Sequence, residues 1–403
     1  SPCLPEGIEF TTQEQIDNFQ VNYPGCTEIE GDVTIGGDWN NPTEISNLEG
    51  LNVLTSIGGD FEISWNDSLT NLTGLEGLTS IGGDLEISSN DSLTSLLGLE
   101  GLTSIEGDLD ISWNDSLTSL TGLEGLTSVG GGIGIIFNDA LTSLTGLEGL
   151  TSIVGSLGIG GNGSLTSLAG LDNLITIGGS FGLSTALLGG PVGNPALTSL
   201  TGLESLTTIG GNLEISMNES LTSLTGLGGL NSIGGDLDII SNASLTSLTG
   251  LENIDPGSIE DVSIAFNDSL SFCDVESICD YLAAPNGTID IENNAPGCNS
   301  PEEVLDSCDV IPAVNEMVQE GSFAISPNPV QETLVISYHH IQNSPSSITI
   351  HDISGRLIST LVNQDQQPGA QMLFYETAAL KPGVYFCTLK TAEGVQTTKI
   401  IKL

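Results

Sequence analysis

Leu78, Ile81, Leu85, Ile87, Leu93, Leu96 and Leu99 are the apolar positions of a 24-residue phrase, LTSIGGDLEISSNDSLTSLLGLEG. The phrase begins at Leu54, Leu78, Leu102, Leu126, Leu150 and Leu174, resumes at Leu206 after an eight-residue insertion, and continues at Leu230 and, degenerate, at Ile254. A first copy, CTEIEGDVTI, starts at Cys26, four residues out of phase. Self-similarity at a fixed short period marks a solenoid whose coils stack on one another, here about ten of them. Within a coil, DLEIS alternates as a strand does, with Leu85 and Ile87 inward and Glu86 outward. GG before it and SND after it supply turns, and no segment between strands is long enough for a useful helix. Asn90 recurs as Asn66, Asn114, Asn138, Asn162, Asn218, Asn242 and Asn267, which predicts a ladder of side-chain amides satisfying turn backbone in adjacent coils. One coil buries too little to offset the entropy of ordering it, so stacking supplies the difference.

Both ends of such a stack need covering. TTQEQIDNFQ predicts a short N-terminal helix with a capping box from Thr11 to Glu14. FCDVESICDYLAAP and NSPEEVLDSC predict C-terminal helices, the second with Ser300 as N-cap, Pro301 in the first turn and Glu303 completing the box. Cys3 and Cys26 bracket the first segment, and Cys273, Cys279, Cys298 and Cys308 cluster after the repeats. Cysteines confined to the two ends read as stapled caps in an oxidising compartment; four in one cluster allow three pairings. Cys387 is left over.

These features predict an all-β protein: N-terminal cap and first coil over 1–53, repeats over 54–270, a Cys-rich cap over 271–309, a linker over 310–321, and a C-terminal domain over 322–403. In the last, about seven short strands separated by turns predict a small antiparallel β-sandwich.

The chain of 403 residues carries 52 Asp and Glu against 5 Lys and Arg, a formal net charge of -47. All basic residues and all three His lie beyond residue 338. A cation-free surface cannot displace counterions from a phosphate backbone, which excludes nucleic acid as a partner, and it repels anionic membranes. Triads and His-ligated zinc are excluded from the repeats. No run is apolar enough to span a membrane. The opening SPCLPEG, without an apolar leader, predicts that a secretion signal has been removed.

CTEIEGDVTI followed by coils of LTSIGGDLEIS resembles the receptor L-domain branch of leucine-rich-repeat proteins over roughly residues 3–308. That resemblance implies a right-handed parallel β-solenoid in an extracellular recognition or adhesion protein. SPNP (with Pro327, Asn328 and Pro329), DISGR (Gly355), LKPGVY (Gly383, Tyr385) and KIIKL (Lys399, Lys402) resemble the type A C-terminal sorting domain of the type IX secretion system of Bacteroidetes. It implies engagement with that secretion machinery, display at the outer cell surface, and removal of the domain with attachment to a surface lipopolysaccharide.

Several columns could bind. The outward strand position reads Glu62, Glu86, Asp110, then Gly134, Gly158 and Gly182, then Glu214 and Asp238, leaving an uncharged patch beside the insertion. Trp65, Trp113 and Phe137 form a stacking row suited to a glycan or protein partner. Asp67, Asp91, Asp115 and Asp139 stack carboxylates one strand spacing apart, an arrangement that bound Ca²⁺ could bridge; no other cofactor is indicated. Thr rows at 55, 79, 103, 127 and 151, and at 70, 94, 118, 142 and 166, offer ice binding as an alternative, and paired carboxylates offer glycoside hydrolysis. The acids recur with the same neighbours in every coil, so the sequence favours a binding protein over an enzyme.

Overall fold

A computed structural model describes residues 1–187, 190–308, 323–326, 330, 333–340, 344–353, 355–366, 369–391 and 394–402. The chain forms two units, residues 1–305 and 306–403. The predicted linker at 310–321 lies outside the described residues.

The first unit is a parallel β-solenoid. Its principal sheet has twelve strands, from Ile8–Phe10 through repeats such as Leu85–Ser88 and Leu109–Ser112 to Ile289–Glu292. Neighbouring strands pair in register, Leu85 with Leu109 and Ile87 with Ile111. The two strands beyond the predicted ten coils come from the capping segments. Every apolar position of the phrase is fully buried: Leu78, Ile81, Leu85, Ile87, Leu93, Leu96 and Leu99 all have 0 % exposure.

A second, two-residue ladder, unforeseen in the sequence, runs along the TSI segment. It forms one sheet from Pro2–Cys3 to Ser128–Val129 and another from Ser152–Ile153 to Ser232–Ile233. The principal sheet continues across this division, pairing Ile133–Ile136 with Leu157–Gly160.

The asparagine ladder forms as predicted. Asn90 donates from its backbone to Asn114 Oδ1 at 3.1 Å, and from Nδ2 to Ile63 O of the preceding coil at 2.9 Å. Its own Oδ1 accepts from the backbone and Nδ2 of Asn66, at 3.1 and 3.0 Å. Asn194, just behind the insertion, and Asn294, in the C-terminal cap, extend the row at both places where the phrase fails.

Side-chain oxygens build a further row. Asp60, Asp84 and Asp108 each donate from the backbone to Oδ1 of the aspartate one coil earlier, at 2.7–2.9 Å. After a break at Gly132, the row resumes through Ser156, Ser180, Asn212, Asp236 and Asp261. The glycine before it makes room: a Cβ on Gly83 would stand 2.0 Å from Asp60 Oδ1. Likewise, the acid of each GLEG segment accepts from the glycine amide two residues earlier, as Glu100 does from Gly98 at 2.9 Å. Such carboxylates serve as hydrogen-bond acceptors for backbone that the turns would otherwise strand.

The N-terminal cap contains two short helices, Gln13–Asp17 and Phe19–Asn22. Its capping box joins Thr12 to Gln15, one residue later than predicted from Thr11 and Glu14. Thr12 has extended backbone with its hydroxyl aimed at the Gln15 amide, while Gln15 Oε1 accepts from the backbone amides of Thr12 at 3.0 Å and Thr11 at 2.7 Å. The C-terminal cap contains the predicted helices, Glu276–Ala283 and Pro301–Cys308. Ser300 caps the second by accepting from the Glu303 amide, and the Glu303 carboxylate accepts from Gly297 and Asn299. Cys3 bonds Cys26 and Cys273 bonds Cys298, and Cys279 and Cys308 are disulfide-bonded as well.

The second unit contains two antiparallel sheets, one of three strands and one of four. Residues from both, including Leu334, Ile336, Tyr338, Ile348, Ile350 and Ile400, share one buried cluster, as a sandwich requires. Cys387 is a free thiol inside it, its pKa pushed up to about 12 by burial.

Replacing Asn114 with Ala would strand the buried Asn90 amide and weaken the cover of the Ile87 carbonyl. The expected loss is about 3 kcal/mol, from the cost of unsatisfied buried groups, measured as a lower midpoint of urea unfolding. Asn114→Asp should cost at least as much, because it keeps the acceptor but removes the donors and buries a charge.

Candidate functional site

After most principal strands the chain turns a corner whose first residue takes a left-handed backbone. The column is Trp65, Ser89, Trp113, Phe137, Gly161, Met217, Ser241 and Phe266, with φ from 55° to 70°. Only glycine adopts this region freely; other residues here cost about 1–2 kcal/mol each. The following asparagine fixes the corner, since Asn90 Nδ2 donates back to Ser88 O at 3.0 Å.

Trp113 and Phe137 stack at this corner, with ring centroids 4.2 Å apart and planes 19° from parallel. The Phe137 ring lies over Gly161, where a Cβ would come within 2.5 Å of it. Trp113 is 45 % exposed. Trp65 does not join this stack. It stands two coils from Trp113 with Ser89 between, and both tryptophans line an open cleft of ≈ 590 Å³ together with Ser88, Ser89 and Ser112. Glu86, Asp91 and Asp115 complete its lining.

Gly134, Gly158 and Gly182 are register neighbours in the principal sheet, preceded by Asp110 and followed by Glu214. A Cβ on Gly158 would meet nothing within 4 Å, and one on Gly182 only Ser184 O at 3.6 Å. The fold therefore does not demand glycine at these two positions. The insertion emerges after Phe181–Gly182 as an antiparallel hairpin, Thr185–Leu187 with Gly190–Val192, and the chain re-enters the asparagine row at Asn194.

The outward acids have partners unforeseen in the sequence. Ser88 donates to Glu86 at 2.7 Å and Ser112 to Asp110 at 2.6 Å. At two of the three glycines the serine goes too, giving Ile136 after Gly134 and Gly160 after Gly158, whereas Ser184 after Gly182 remains and donates to Glu214 of the next coil. That paired change was a readable signal. Burial, followed by Asp236, Glu214 and Asp261, raises the Asp238 pKa from 3.8 to about 6.

Asp67, Asp91, Asp115 and Asp139 are all exposed. Burial first, then Asp139 and Asp91, raises the pKa of Asp115. Among the described residues, no three His, Cys, Asp or Glu side chains come together as a metal ion requires. In the first Thr row, Thr79 and Thr103 donate their hydroxyls to the carbonyl one coil earlier, at 2.9 and 3.0 Å.

In the second unit, Asp352 pairs with Arg356 at 3.2 Å across the DISGR turn, where Gly355 has φ 83°. Tyr385 donates to Lys381 O at 2.9 Å, and Gly383 and Phe386 pair with Lys402 and Lys399 on the final strand. Pro327, Asn328 and Pro329 lie outside the described residues.

Residues 324–403 match the family described as the secretion system C-terminal sorting domain. The chain thus ends in a sorting domain of the type IX secretion system, which marks a secreted protein of the cell surface. A comparison with curated proteins finds no match; the receptor L-domain resemblance rests on the repeat alone. Among the described residues, no helix is long and apolar enough to cross a membrane.

For an acid whose pKa is raised by folding, the ionised form penalises the native state above the folded pKa, and the penalty disappears below the unfolded one. The Asp238 penalty is full above about pH 6 and gone below 3.8. Thermal stability should therefore rise as pH falls from 7 towards 4.5, and Asp238→Asn should flatten part of that rise. Ser241→Gly should stabilise the protein by up to about 1 kcal/mol by relieving the left-handed corner, read as an increased melting temperature.

Proposed function

We propose that the solenoid is a recognition module displayed at the cell surface, binding a protein or glycan partner through the aromatic corner column and the neutral glycine band beside it. The carrying observation is that Trp113 and Phe137 keep large aromatic side chains, one of them 45 % exposed, at corners whose left-handed backbone disfavours any side chain. Ser89 and Ser241 occupy equivalent corners, so the turn itself requires no aromatic group. Strained backbone bearing exposed aromatic surface is a hallmark of sites kept for contact.

Recognition is preferred to catalysis on chemical grounds. The solenoid lacks His, Lys and Arg. Many of its carboxylates are occupied as acceptors for backbone amides or serines. The resemblance to receptor L-domains agrees with this reading. The resemblance of the tail to type A sorting domains supports cleavage after export and attachment to a surface lipopolysaccharide.

A glycan and protein array probed with the full chain tests the module. Trp113→Ala should weaken the captured partner at least tenfold while leaving the melting temperature within a few degrees; undiminished binding overturns the role of the column. Deleting residues 324–403 should leave a folded solenoid that fails to reach the cell surface. Normal display after that deletion, followed by surface labelling, would contradict the sorting assignment.

A further inference from the structure

The corner column holds a stack with one member missing. From Trp65 to Gly161 it runs Trp, Ser, Trp, Phe, Gly, and the last three coils show how the rings use the space: Trp113 lies on Phe137, and Phe137 lies on Gly161. Only at Ser89 does a small residue separate two aromatic walls, Trp65 and Trp113, which line one cleft. We propose that this gap is a slot for a single hexopyranose ring without acidic substituents, clasped between Trp65 and Trp113. The proposal rests on the reading of the column as the recognition face.

The width sets the size of the guest. Trp65 and Trp113 are two coils apart, about 9.6 Å at two strand spacings. Carbon contacts of about 3.5–4.0 Å on each face leave about 2 Å for the thickness of the guest. The gap thus admits one ring, as a Trp side chain at position 89 would occupy it, and the rim decides which ring. A pyranose chair presents C–H groups to the indole on each face and hydroxyls around its edge. The rim suits hydroxyls: the carboxylates of Glu86, Asp91 and Asp115 accept, and the Ser89 hydroxyl can donate or accept. The same rim sorts sugars by charge. No Lys, Arg or His occurs before residue 339, so a uronic or sialic carboxylate would face three acids and no cation.

Isothermal titration of the full chain with cellobiose, mannobiose and chitobiose, and with digalacturonate as the anionic control, tests this. At least one neutral disaccharide should bind and digalacturonate should not. Ser89→Trp should abolish the binding, at least tenfold, by supplying the missing ring from within. Trp is accepted at this corner, since Trp65 and Trp113 take φ 57° against 55° for Ser89, and an unchanged thermal melt would verify the fold. Trp65→Ala, which opens one wall, should weaken binding comparably without filling the slot. Neutral disaccharides that fail to bind, or bind equally to Ser89→Trp, overturn the slot. An array partner lost in Trp113→Ala but kept in Ser89→Trp also overturns the slot while leaving the recognition face intact. An array partner indifferent to Trp113→Ala removes the face, and the slot with it.

Discussion

Everything in the solenoid depends on each coil lying in register on its twin, with turn backbone that finds hydrogen-bond partners one coil away. A 24-residue coil of strand and turn leaves amides and carbonyls pointing along the stacking axis. The repeat answers with fixed side-chain oxygens: Asn Oδ1 in one row, Asp, Ser or Asn oxygens in a second, and the GLEG carboxylate within each coil. Because the groups to be satisfied are mostly N–H donors, the useful side chains are acceptors, and carboxylates are strong ones. The extreme acidity of the chain thus has a structural root. It also leaves the surface without cations, and so fixes which ligands can approach.

The fold was legible because its determinants are periodic. Seven aliphatic positions per coil and a recurrent asparagine dictated the strand, the corner and the stack. What escaped notice was aperiodic or local. The Asn194 rung hides behind an insertion, and Asn294 stands in a capping segment without the phrase. The second ladder is two residues long, too short to show alternation. The helix start slipped by one residue because Thr11 and Thr12 both precede an acidic or amide partner at the right spacing, and only the backbone decides between them.

The binding face was half legible. The aromatic column could be read off the alignment of coils, but its left-handed backbone could not, because Trp, Phe and Met are poor indicators of that conformation. The three glycines looked alike in sequence, yet they differ: a Cβ on Gly134 would sit 3.0 Å from Asp110 Oδ2, whereas Gly158 faces open space. The stacked Asp column reads in sequence as a cation bridge. In three dimensions its members are exposed and bring no third ligand group with them.

One junction differs from all the others. Between the coil of Ser128–Val129 and that of Ser152–Ile153 the short ladder divides into separate sheets, and Gly132, lacking a side chain, offers Ser156 no counterpart of the oxygen that Asp108 presents to Gly132. The principal sheet and the asparagine row still cross it. In a repeat array, stability is a sum of unit terms and nearest-neighbour couplings, and here one side-chain rung of that coupling is missing. The junction thus divides the solenoid into two stretches that are both acidic and free of cations, although Asp172 and Glu204 are the only acids in the two coils directly behind it. A force along the stacking axis would be carried across that junction by the principal sheet and the asparagine row, without the help of the oxygen row.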